Sequence, residues 1–330
     1  MTTLGALIVL FHPSEAQLQR VVSMNAECDR LLVVDNSPRP DSEAAAWLTD
    51  AGVAVLHHGN RHGIAGAFNA GLDALFAQGA AAVALFDQDS DVPPGYFDVM
   101  RDRCASLGGT AFMAGPRIFD ENDRRFLPEL TTSGLGVERL ALRADANVQR
   151  CAFLISSGSV ISREAYARLG RFDESLFIDH VDTEYCLRAL LCNVPIYLVP
   201  SLILPHRIGA RRRHALGPFE LTSMNHPGFR RYYSARNAMQ IALQYGLRLP
   251  VAVVPNVLTL WQIVQIVLLE KDKLGKLGAI ALGVFDGMFG RMGPLAQTRP
   301  RFAEKVVRAA REKASNAAAS SNTVARVHHS

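Results

Sequence analysis

Residues Ala81-Ala-Val-Ala-Leu-Phe-Asp-Gln-Asp-Ser-Asp91 combine a short apolar run with an acidic end. The run Ala82–Phe86 is bounded by polar turn residues, which is typical of a buried strand in a parallel sheet. Asp87 and Asp89 follow directly, and carboxylates are the hard oxygen ligands that Mg²⁺ and Mn²⁺ prefer. An exposed acidic turn explains the same residues, because Asp and Ser favour turns. The stretch alone therefore leaves a metal site and a plain turn open.

Strand and helix patterns alternate three times upstream of this stretch. The apolar runs expected to form strands are Leu4–Phe11, Arg30–Asp35 and Val53–His57. The helical patterns begin at Glu15, at Asp41 or Ser42, and at Ile64. This alternation predicts an α/β fold, Rossmann-like, with a mostly parallel sheet flanked by helices.

The turns that follow these strands carry polar side chains. In doubly wound sheets, ligands bind outside the carboxyl ends of the strands, at a switch in strand order. The residues expected at that edge are His12, Asp35, Asn36, the Gly59–Gly63 loop, Asp87 and Asp89. Because separate turns supply them to one crevice, the sequence predicts a nucleotide site there and favours the metal interpretation of the two aspartates.

Two common nucleotide motifs are absent from the sequence. His12-Pro-Ser-Glu-Ala-Gln17 follows the first strand where a dinucleotide dehydrogenase would carry G-x-G-x-x-G. No G-x-x-x-x-G-K-[ST] occurs, which excludes a P-loop NTPase. An HAD-type phosphatase also places Asp-x-Asp after a buried strand, but after the first strand of its core. The three strand–helix units before Asp87 therefore count against that class.

Composition is that of a folded globular chain. The 330 residues are 49% hydrophobic and 20% charged, which is enough to bury a sizeable core. A net charge of +4 is too small to indicate nucleic acid binding. The five cysteines form no C-x-x-C pair, which favours a reducing cytosol. The N-terminus lacks a basic segment and its apolar run breaks at His12-Pro13, so we expect no secretory signal.

The second half of the chain changes character. We expect an α/β domain over residues 1–218, a helical region over 219–314 and a disordered, low-complexity tail over 315–330. Residues 251–270 approach the length of a membrane span but contain Pro255, Asn256, Gln262 and Gln265. With Trp261 and the lysines beyond, this segment favours an in-plane or re-entrant membrane contact. A buried or oligomeric helix pair explains it as well, and a true span fits least.

Several motifs, taken in order, resemble the GT-A glycosyltransferases of family 2, and within them the bacterial rhamnosyltransferases. The matching segments are Val33–Ser37, Gly59–Gly71, Leu85–Ser90, Phe177–Arg188, Pro205-His206, Arg231–Asn237 and Asp286–Arg291. The resemblance implies a GT-A fold with a helical C-terminal extension, and a divalent metal, Mg²⁺ or Mn²⁺, as cofactor. Asp87-Gln-Asp-Ser90 is the segment most similar to the rhamnosyltransferase branch.

The resemblance also implies roles for individual residues. Asp35 would accept from the pyrimidine N3–H, and Asp182, at the start of a helix, would be the catalytic base. The residues expected to bind the nucleotide sugar are His12, Asp35, Asn36, Asn60, Gly63, Asn69, Asp87 and Arg236. The residues expected to bind the metal are Asp87, Asp89 and His206. Arg231 and Arg211–Arg213 are expected to meet a phosphate of donor or acceptor.

Plainer structural roles stay open for some of these residues. Val181 stands where the family commonly has an acidic neighbour of the base, so Asp179 and Glu184 are alternative bases. Asp182 could instead cap its helix, and a lone histidine such as His206 is often structural. Gly63 could simply mark the start of a helix. A solvated basic loop would explain the run Arg211–Arg213.

The implied activity is inverting transfer of a sugar to a hydroxyl group in cell-surface polysaccharide synthesis. The favoured donor is dTDP-β-L-rhamnose and the acceptor a glycan or a lipid-linked glycan. Another dTDP- or UDP-sugar is the first alternative, and a noncatalytic sugar-nucleotide-binding protein is a distant one. The expected location is the bacterial cytoplasm, with the inner-membrane surface and a homo-oligomer through the C-terminal helices as candidate contacts.

Overall fold

The computed structural model describes residues 3–133, 136–143, 146–206, 212–216 and 219–306. The strands are β1 (Leu4–Leu10), β2 (Arg30–Asp35), β3 (Ala54–His57), β4 (Ala82–Asp87), β5 (Met113–Asp120), β6 (Arg125–Phe126), β7 (Leu130–Ser133), β8 (Gly136–Arg139), β9 (Gln149–Arg150), β10 (Ser159–Ser162), β11 (Ile196–His206), β12 (Arg212–Leu216) and β13 (Phe219–Ser223). The helices are α1 (Glu15–Asn25), α2 (Ser42–Asp50), α3 (Gly63–Ala77), α4 (Tyr96–Ser106), α5 (Arg163–Leu169), α6 (Val181–Leu191), α7 (Gly228–Tyr245), α8 (Val254–Leu269), α9 (Lys273–Met288) and α10 (Leu295–Thr298), and a 3₁₀ turn, Pro250–Val253, precedes α8.

A nine-stranded sheet organises the first two thirds of the chain, in the order β3-β2-β1-β4-β10-β5-β11-β9 with β6 on β5. The pairs β2–β3, β1–β2, β1–β4 and β5–β11 are parallel. Strand β10 runs antiparallel between β4 and β5. The chain leaves β1 toward β2 on one side and returns to β4 on the other, so the switch in strand order lies between β1 and β4.

Helices cover both faces of this sheet, and β1 shows how its side chains divide between them. Leu7 and Val9 face α3 and α6 in one core, while Ala6 and Ile8 face α1 and α4 in the other. Each residue of β1 is buried, as expected for a central strand with two covered faces. The rigid sheet therefore fixes the positions of the turns at its carboxyl edge.

The predicted elements agree closely with the observed ones. The mixed α/β class with a mostly parallel, helix-flanked sheet and a helical C-terminal region is confirmed. Between β5 and β9 the chain forms β6 and the β7–β8 hairpin. The helical region begins with α7 after the β12–β13 hairpin. The tail expected to be disordered, residues 315–330, lies outside the described residues.

The C-terminal helices pack on one another through small residues. A Cβ added at Gly283 of α9 would lie 2.3 Å from the carbonyl oxygen of Tyr232, and one at Gly287 would lie 2.4 Å from that of Arg236. These two glycines, one helical turn apart, let α9 approach the backbone of α7 directly. In the described part of the chain, Pro250–Leu269 is the one helix long and apolar enough to cross a membrane, by length and composition only.

Candidate functional site

The carboxylate of Asp35 joins the ends of β1, β2 and β3. Its Oδ1 accepts from the backbone N–H of Ser37 at 2.9 Å, and its Oδ2 lies 3.0 Å from Nδ1 of His57. The His12 backbone N–H donates to Ser37 Oγ at 2.9 Å. Register explains the histidine contact, because Asp35 and His57 are paired residues of parallel strands. His57 was not anticipated from the sequence, although its position at the end of β3 could have indicated it.

A second set of polar contacts lies beside the first. The Asn36 amide donates to Asn60 Oδ1 at 3.3 Å, and its own oxygen lies 3.0 Å from Nδ1 of His58. Asn60 has a positive φ of 55°. The loop after β3 is thus folded back onto the end of β2, as the predicted convergence requires.

The acidic segment after β4 forms a tight turn. The Ser90 N–H donates to the Asp87 carbonyl at 3.1 Å, and the Asp87 N–H donates to Ser90 Oγ at 3.1 Å. The side chain of Gln88 accepts from the Phe11 N–H at 2.8 Å. The turn therefore bridges β4 to β1 at the strand-order switch and holds both aspartates at the crevice.

Asp87, Asp89 and His206 form a group with the composition of a metal site. One ligand atom from each lies within 4.8 Å of the others. His206 Nδ1 is buried and has no hydrogen-bond partner among the described residues. Burial, and then the charge of Asp89, raises the pKa of Asp87 to about 6. Two carboxylates that repel each other beside an unpartnered imidazole nitrogen fit a divalent cation.

Asp182 lies in the first turn of α6, next to this acidic group. Its Oδ1 accepts from the Thr183 N–H at 2.7 Å and its Oδ2 from the Ser156 N–H at 3.3 Å. Burial raises the pKa of Asp182, and the charge of Asp182 also raises the pKa of Asp87. The N-cap position belongs to His180, so Asp182 is not the cap of its helix. Its half-buried carboxylate is therefore a candidate base.

The loop that leads into α6 is strained and tightly held. Phe177, Asp179 and His180 have φ values of 68°, 62° and 61°, which cost roughly 1–3 kcal/mol each. The Asn237 amide on α7 donates to the carbonyls of Ile178 and Asp179, both at 2.8 Å. Strain of this kind persists only when surrounding contacts over-determine it, so α7 is part of the site's scaffold.

Comparisons with known proteins match the chain to a family and to a curated relative. The model of the family described as "Glycosyl transferase family 2" matches residues 7–170, which include Asp35, Asp87 and Asp89. The chain contains a glycosyl transferase family 2 domain over residues 7–170. It is 28% identical over 291 residues to the dTDP-rhamnosyl transferase RfbF of Shigella flexneri, covering 87% of this chain and 96% of that relative.

Solved structures give weaker likenesses. A structure of GalNAc-T7 with UDP, GalNAc and Mn²⁺ aligns with a TM-score of 0.48 and 15% identity over 62% of this chain and 44% of that one. S. aureus TarS aligns with a TM-score of 0.46 and 11% identity over 87% of this chain and 43% of that one. The chain thus spans less than half of either solved protein. The sequence-based assignment to the family 2 glycosyltransferases, and so to a transferase enzyme, rests on the family match and the curated relative.

Among the three candidate bases of this transferase, two are engaged by arginines. Asp179 pairs with Arg230. Glu184 is almost fully buried and bonds Arg188 and Tyr245, so it stabilises helix packing. Asp182 instead accepts hydrogen bonds from its neighbour Thr183 and from the backbone of Ser156. This difference favours Asp182.

Asn69 and Gly63 have structural roles, although both were expected to contact the nucleotide. The fully buried Asn69 amide donates to the Phe172 carbonyl at 3.0 Å and to Glu174 Oε1 at 2.9 Å, so both its donors are used inside the protein. At Gly63, with φ of 63°, a Cβ would lie 2.1 Å from the carbonyl oxygen of Phe177. The glycine is needed because α3 begins directly against the loop that leads into α6.

Arg236 and Arg231 likewise do not face the crevice. Arg236 is fully buried and donates to carbonyls of Ser175, Leu176 and Gly293. Its guanidinium therefore holds the loop before α6 and is not placed to bind a diphosphate, contrary to what was expected. Arg231 is buried against Glu270, at 2.8 Å, where it ties α7 to the end of α8. Arg211 and the side chains of Arg212 and Arg213 lie outside the described residues.

Arg230 is the cation that the sequence reasoning passed over. It pairs with Asp179, and its positive charge partly offsets the burial and repulsion that raise the pKa of Asp87, so it lies beside the acidic group. Helical spacing could have identified it. Arg230, Ser234 and Asn237 stand at i, i+4 and i+7 on one face of α7, and all three contact the loop before α6.

Proposed function

We propose that this family 2 transferase moves L-rhamnose from dTDP-β-L-rhamnose to a hydroxyl of a glycan or lipid-linked acceptor, with inversion at the anomeric carbon. The observation that carries the proposal is the half-buried carboxylate of Asp182 beside the Asp87, Asp89 and His206 group and the guanidinium of Arg230. One crevice thus contains a candidate base together with groups that can neutralise the charge of a leaving diphosphate. Displacement of a nucleoside diphosphate requires both.

The choice of sugar is supported by a single relative. RfbF, named as a dTDP-rhamnosyl transferase, aligns with this chain over nearly its whole length. At this level of identity, another dTDP- or UDP-sugar is the competing donor. The product is proposed to belong to cell-surface polysaccharide synthesis.

Asp182 accepts the proton of the acceptor hydroxyl while that oxygen attacks the anomeric carbon. The bond from that carbon to the diphosphate oxygen breaks, and its electron pair leaves with the nucleoside diphosphate. Since one displacement completes the transfer, no covalent enzyme intermediate is needed. Arg230 offers its guanidinium to the developing charge, and Asp179 fixes its orientation.

Asp87, Asp89 and His206 are the residues that would hold a divalent cation, Mg²⁺ or Mn²⁺. Such a cation, when bound, neutralises charge on the leaving diphosphate. Asp35 is proposed to face the pyrimidine base, since a carboxylate oxygen keeps a further lone pair after its bonds to Ser37 and His57. His12, Asn36 and Asn60 frame the same end of the crevice.

The C-terminal helices are proposed to contact the cytoplasmic face of the bacterial inner membrane, with the enzyme otherwise in the cytoplasm. Helix α8 exposes several large apolar side chains to solvent, among them Leu260 (64%), Trp261 (58%) and Leu268 (66%). An exposed apolar helix face of this size marks a membrane or protein contact. Pairing of two copies through α8 is the competing arrangement.

A panel of sugar nucleotides tests the donor. Thermal shifts are measured with dTDP-rhamnose, dTDP-glucose, UDP-glucose and UDP-N-acetylglucosamine, each with and without Mn²⁺. We expect the largest Mn²⁺-dependent shift with dTDP-rhamnose, together with slow release of dTDP in the absence of acceptor. Asp182→Asn is the control that should keep the shift and lose the release. A larger shift with a UDP-sugar would overturn the assignment of the donor.

A further inference from the structure

Asp182 also lines a cleft of about 260 Å³ whose wall is mostly apolar. The catalytic domain contributes Phe153 and Leu154, and the start of α8 contributes Val254 and Leu258. The cleft therefore exists only where the α/β domain and the C-terminal helices meet. Its contact with the proposed base makes it the place for the nucleophile's substrate, since the acceptor hydroxyl must reach Asp182.

The polar groups of the cleft lie on the side of the catalytic domain. Arg117 donates to Glu129 at 2.8 Å, and its guanidinium stacks over Phe126 at 3.8 Å from the ring centre. Both charged residues line the cleft with Asp182. A carboxylate–guanidinium pair of this kind is suited to the hydroxyls of a sugar. The wall from α8 offers only apolar groups and gives hydroxyls no partner.

The volume of the cleft limits what can fill it. At about 260 Å³ it lies just below the range of roughly 300–1,000 Å³ found for small-molecule pockets. It can take about one sugar with a few attached carbons. An apolar group that reaches the α8 wall must therefore be attached close to the reacting sugar.

Leu258 connects the cleft to the surface. It lines the cleft and is also 52% exposed. From there the exposed apolar face of α8 continues through Trp261, Val264 and Leu268. Helix α8 has 16 residues and is thus about 24 Å long. A chain that leaves the cleft at Leu258 meets a continuous apolar path.

We propose that this cleft is the acceptor site and that Val254 and Leu258 select acceptors with an apolar chain attached next to the reacting sugar. This inference rests on the proposed function. It predicts that the acceptor bears a lipid and is not the hydrated end of a polymer. Helix α8 is then part of substrate recognition as well as a surface contact. A purely glycan acceptor would place hydroxyl groups against the apolar wall that α8 forms.

Octyl and methyl glycosides of the same sugars test the proposal. Binding to the full chain is measured by saturation-transfer NMR for glucose, galactose, N-acetylglucosamine and rhamnose, with octyl glycosides below their micelle concentration. We expect at least one octyl glycoside to bind 10-fold or more tightly than its methyl counterpart. Val254→Asn in the cleft should reduce that preference at least 5-fold. Val257→Asn, on the same helix but 58% exposed and outside the cleft lining, should leave it unchanged.

Two results would overturn the proposal. Equal binding of octyl and methyl glycosides would remove the need for an apolar chain, and an equal loss in both variants would assign the preference to the general surface of α8. The dTDP-rhamnose thermal shift is recorded for each variant. If the unmodified protein shows no thermal shift with dTDP-rhamnose, only the assignment of the donor is contradicted, because glycoside binding is measured without nucleotide.

Discussion

The side-chain amide of Asn237 donates to the backbone carbonyl of Asp179 at 2.8 Å, just ahead of the helix whose first turn contains the proposed base. The same amide bonds Ile178 and Leu176. A helix of the C-terminal region thereby fixes a strained loop of the catalytic domain. The two parts of the chain are coupled through this contact.

Asn237→Ala should lower kcat by about 10- to 100-fold, because a shift of about 1 Å in a catalytic group can cost that much. The lost hydrogen bonds, at about 1 kcal/mol each, should also reduce the free energy of unfolding by a few kcal/mol. Steady-state kinetics and urea unfolding measure the two effects. Gln240→Ala, a half-buried residue of the same helix, is the control. A stability loss with unchanged kcat would show that the contact supports only the fold.

Asp182→Asn should reduce kcat by about 10²- to 10⁴-fold, which is the usual contribution of a general base. Since the base acts when deprotonated and burial raises the pKa of Asp182, activity should fall on the acid side at a pH above the ordinary aspartate value of about 4. A pH profile of kcat measures this limb. The residual activity of Asp182→Asn should lack it, and persistence of the same limb would assign it to another group.

Removal of Asp89 should abolish metal binding. Asp89→Ala is expected to lose the thermal shift caused by Mn²⁺ and most nucleotide release with dTDP-rhamnose. Mn²⁺ should give a larger shift than Mg²⁺ in the unmodified protein, because an imidazole nitrogen is a poor ligand for Mg²⁺. Full retention of nucleotide release would refute the metal role of Asp89.

Asp87→Asn should act in two directions. In metal-free protein near neutral pH it should raise Tm by a few degrees, because it removes one of two carboxylates held close together. The same change should diminish the stabilisation that Mn²⁺ gives. Calorimetry with and without EDTA separates the effects. A lower Tm in the metal-free variant would contradict the electrostatic account of this turn.

Substitutions of the two neighbouring arginines of α7 should differ in their effects, one mainly on stability and the other mainly on activity. Arg231→Ala leaves the buried charge of Glu270 without this partner and is expected to cost about 3–5 kcal/mol of unfolding free energy. Arg230→Ala, at the edge of the crevice, should cost much less stability and lower kcat at least 10-fold. Chemical unfolding and kinetics of the two variants decide the point. The assignment fails if Arg230→Ala keeps full activity.

Trp261 can report directly on the proposed membrane contact. The chain has two tryptophans, so Trp47→Phe leaves Trp261 on the exposed face of α8 as the remaining one. Its emission should shift to the blue on addition of anionic phospholipid vesicles, as the indole leaves water. Dimerisation would cause a shift that depends on protein concentration and occurs without vesicles.

Local pattern alone predicted most of the α/β domain. Strand ends such as Asp35 and Asp87 were placed correctly because a buried strand has a fixed period and its parallel neighbours end at one edge. The same logic brought His12, Asn36 and Asn60 together. Order of motifs identified the family. These conclusions need only the sequence, since strand geometry converts position along the chain into position in the sheet.

The tertiary structure decided which charged side chains face the crevice. Sequence alone could not distinguish Arg230 from Arg231, because one residue along a helix turns a side chain by about 100° and burial depends on the partner helix. The same holds for Asn69, Glu184 and Arg236, whose partners lie far away in sequence. The sequence determined the fold and the set of candidate residues; long-range packing determined which of them hold the scaffold and which can meet a substrate.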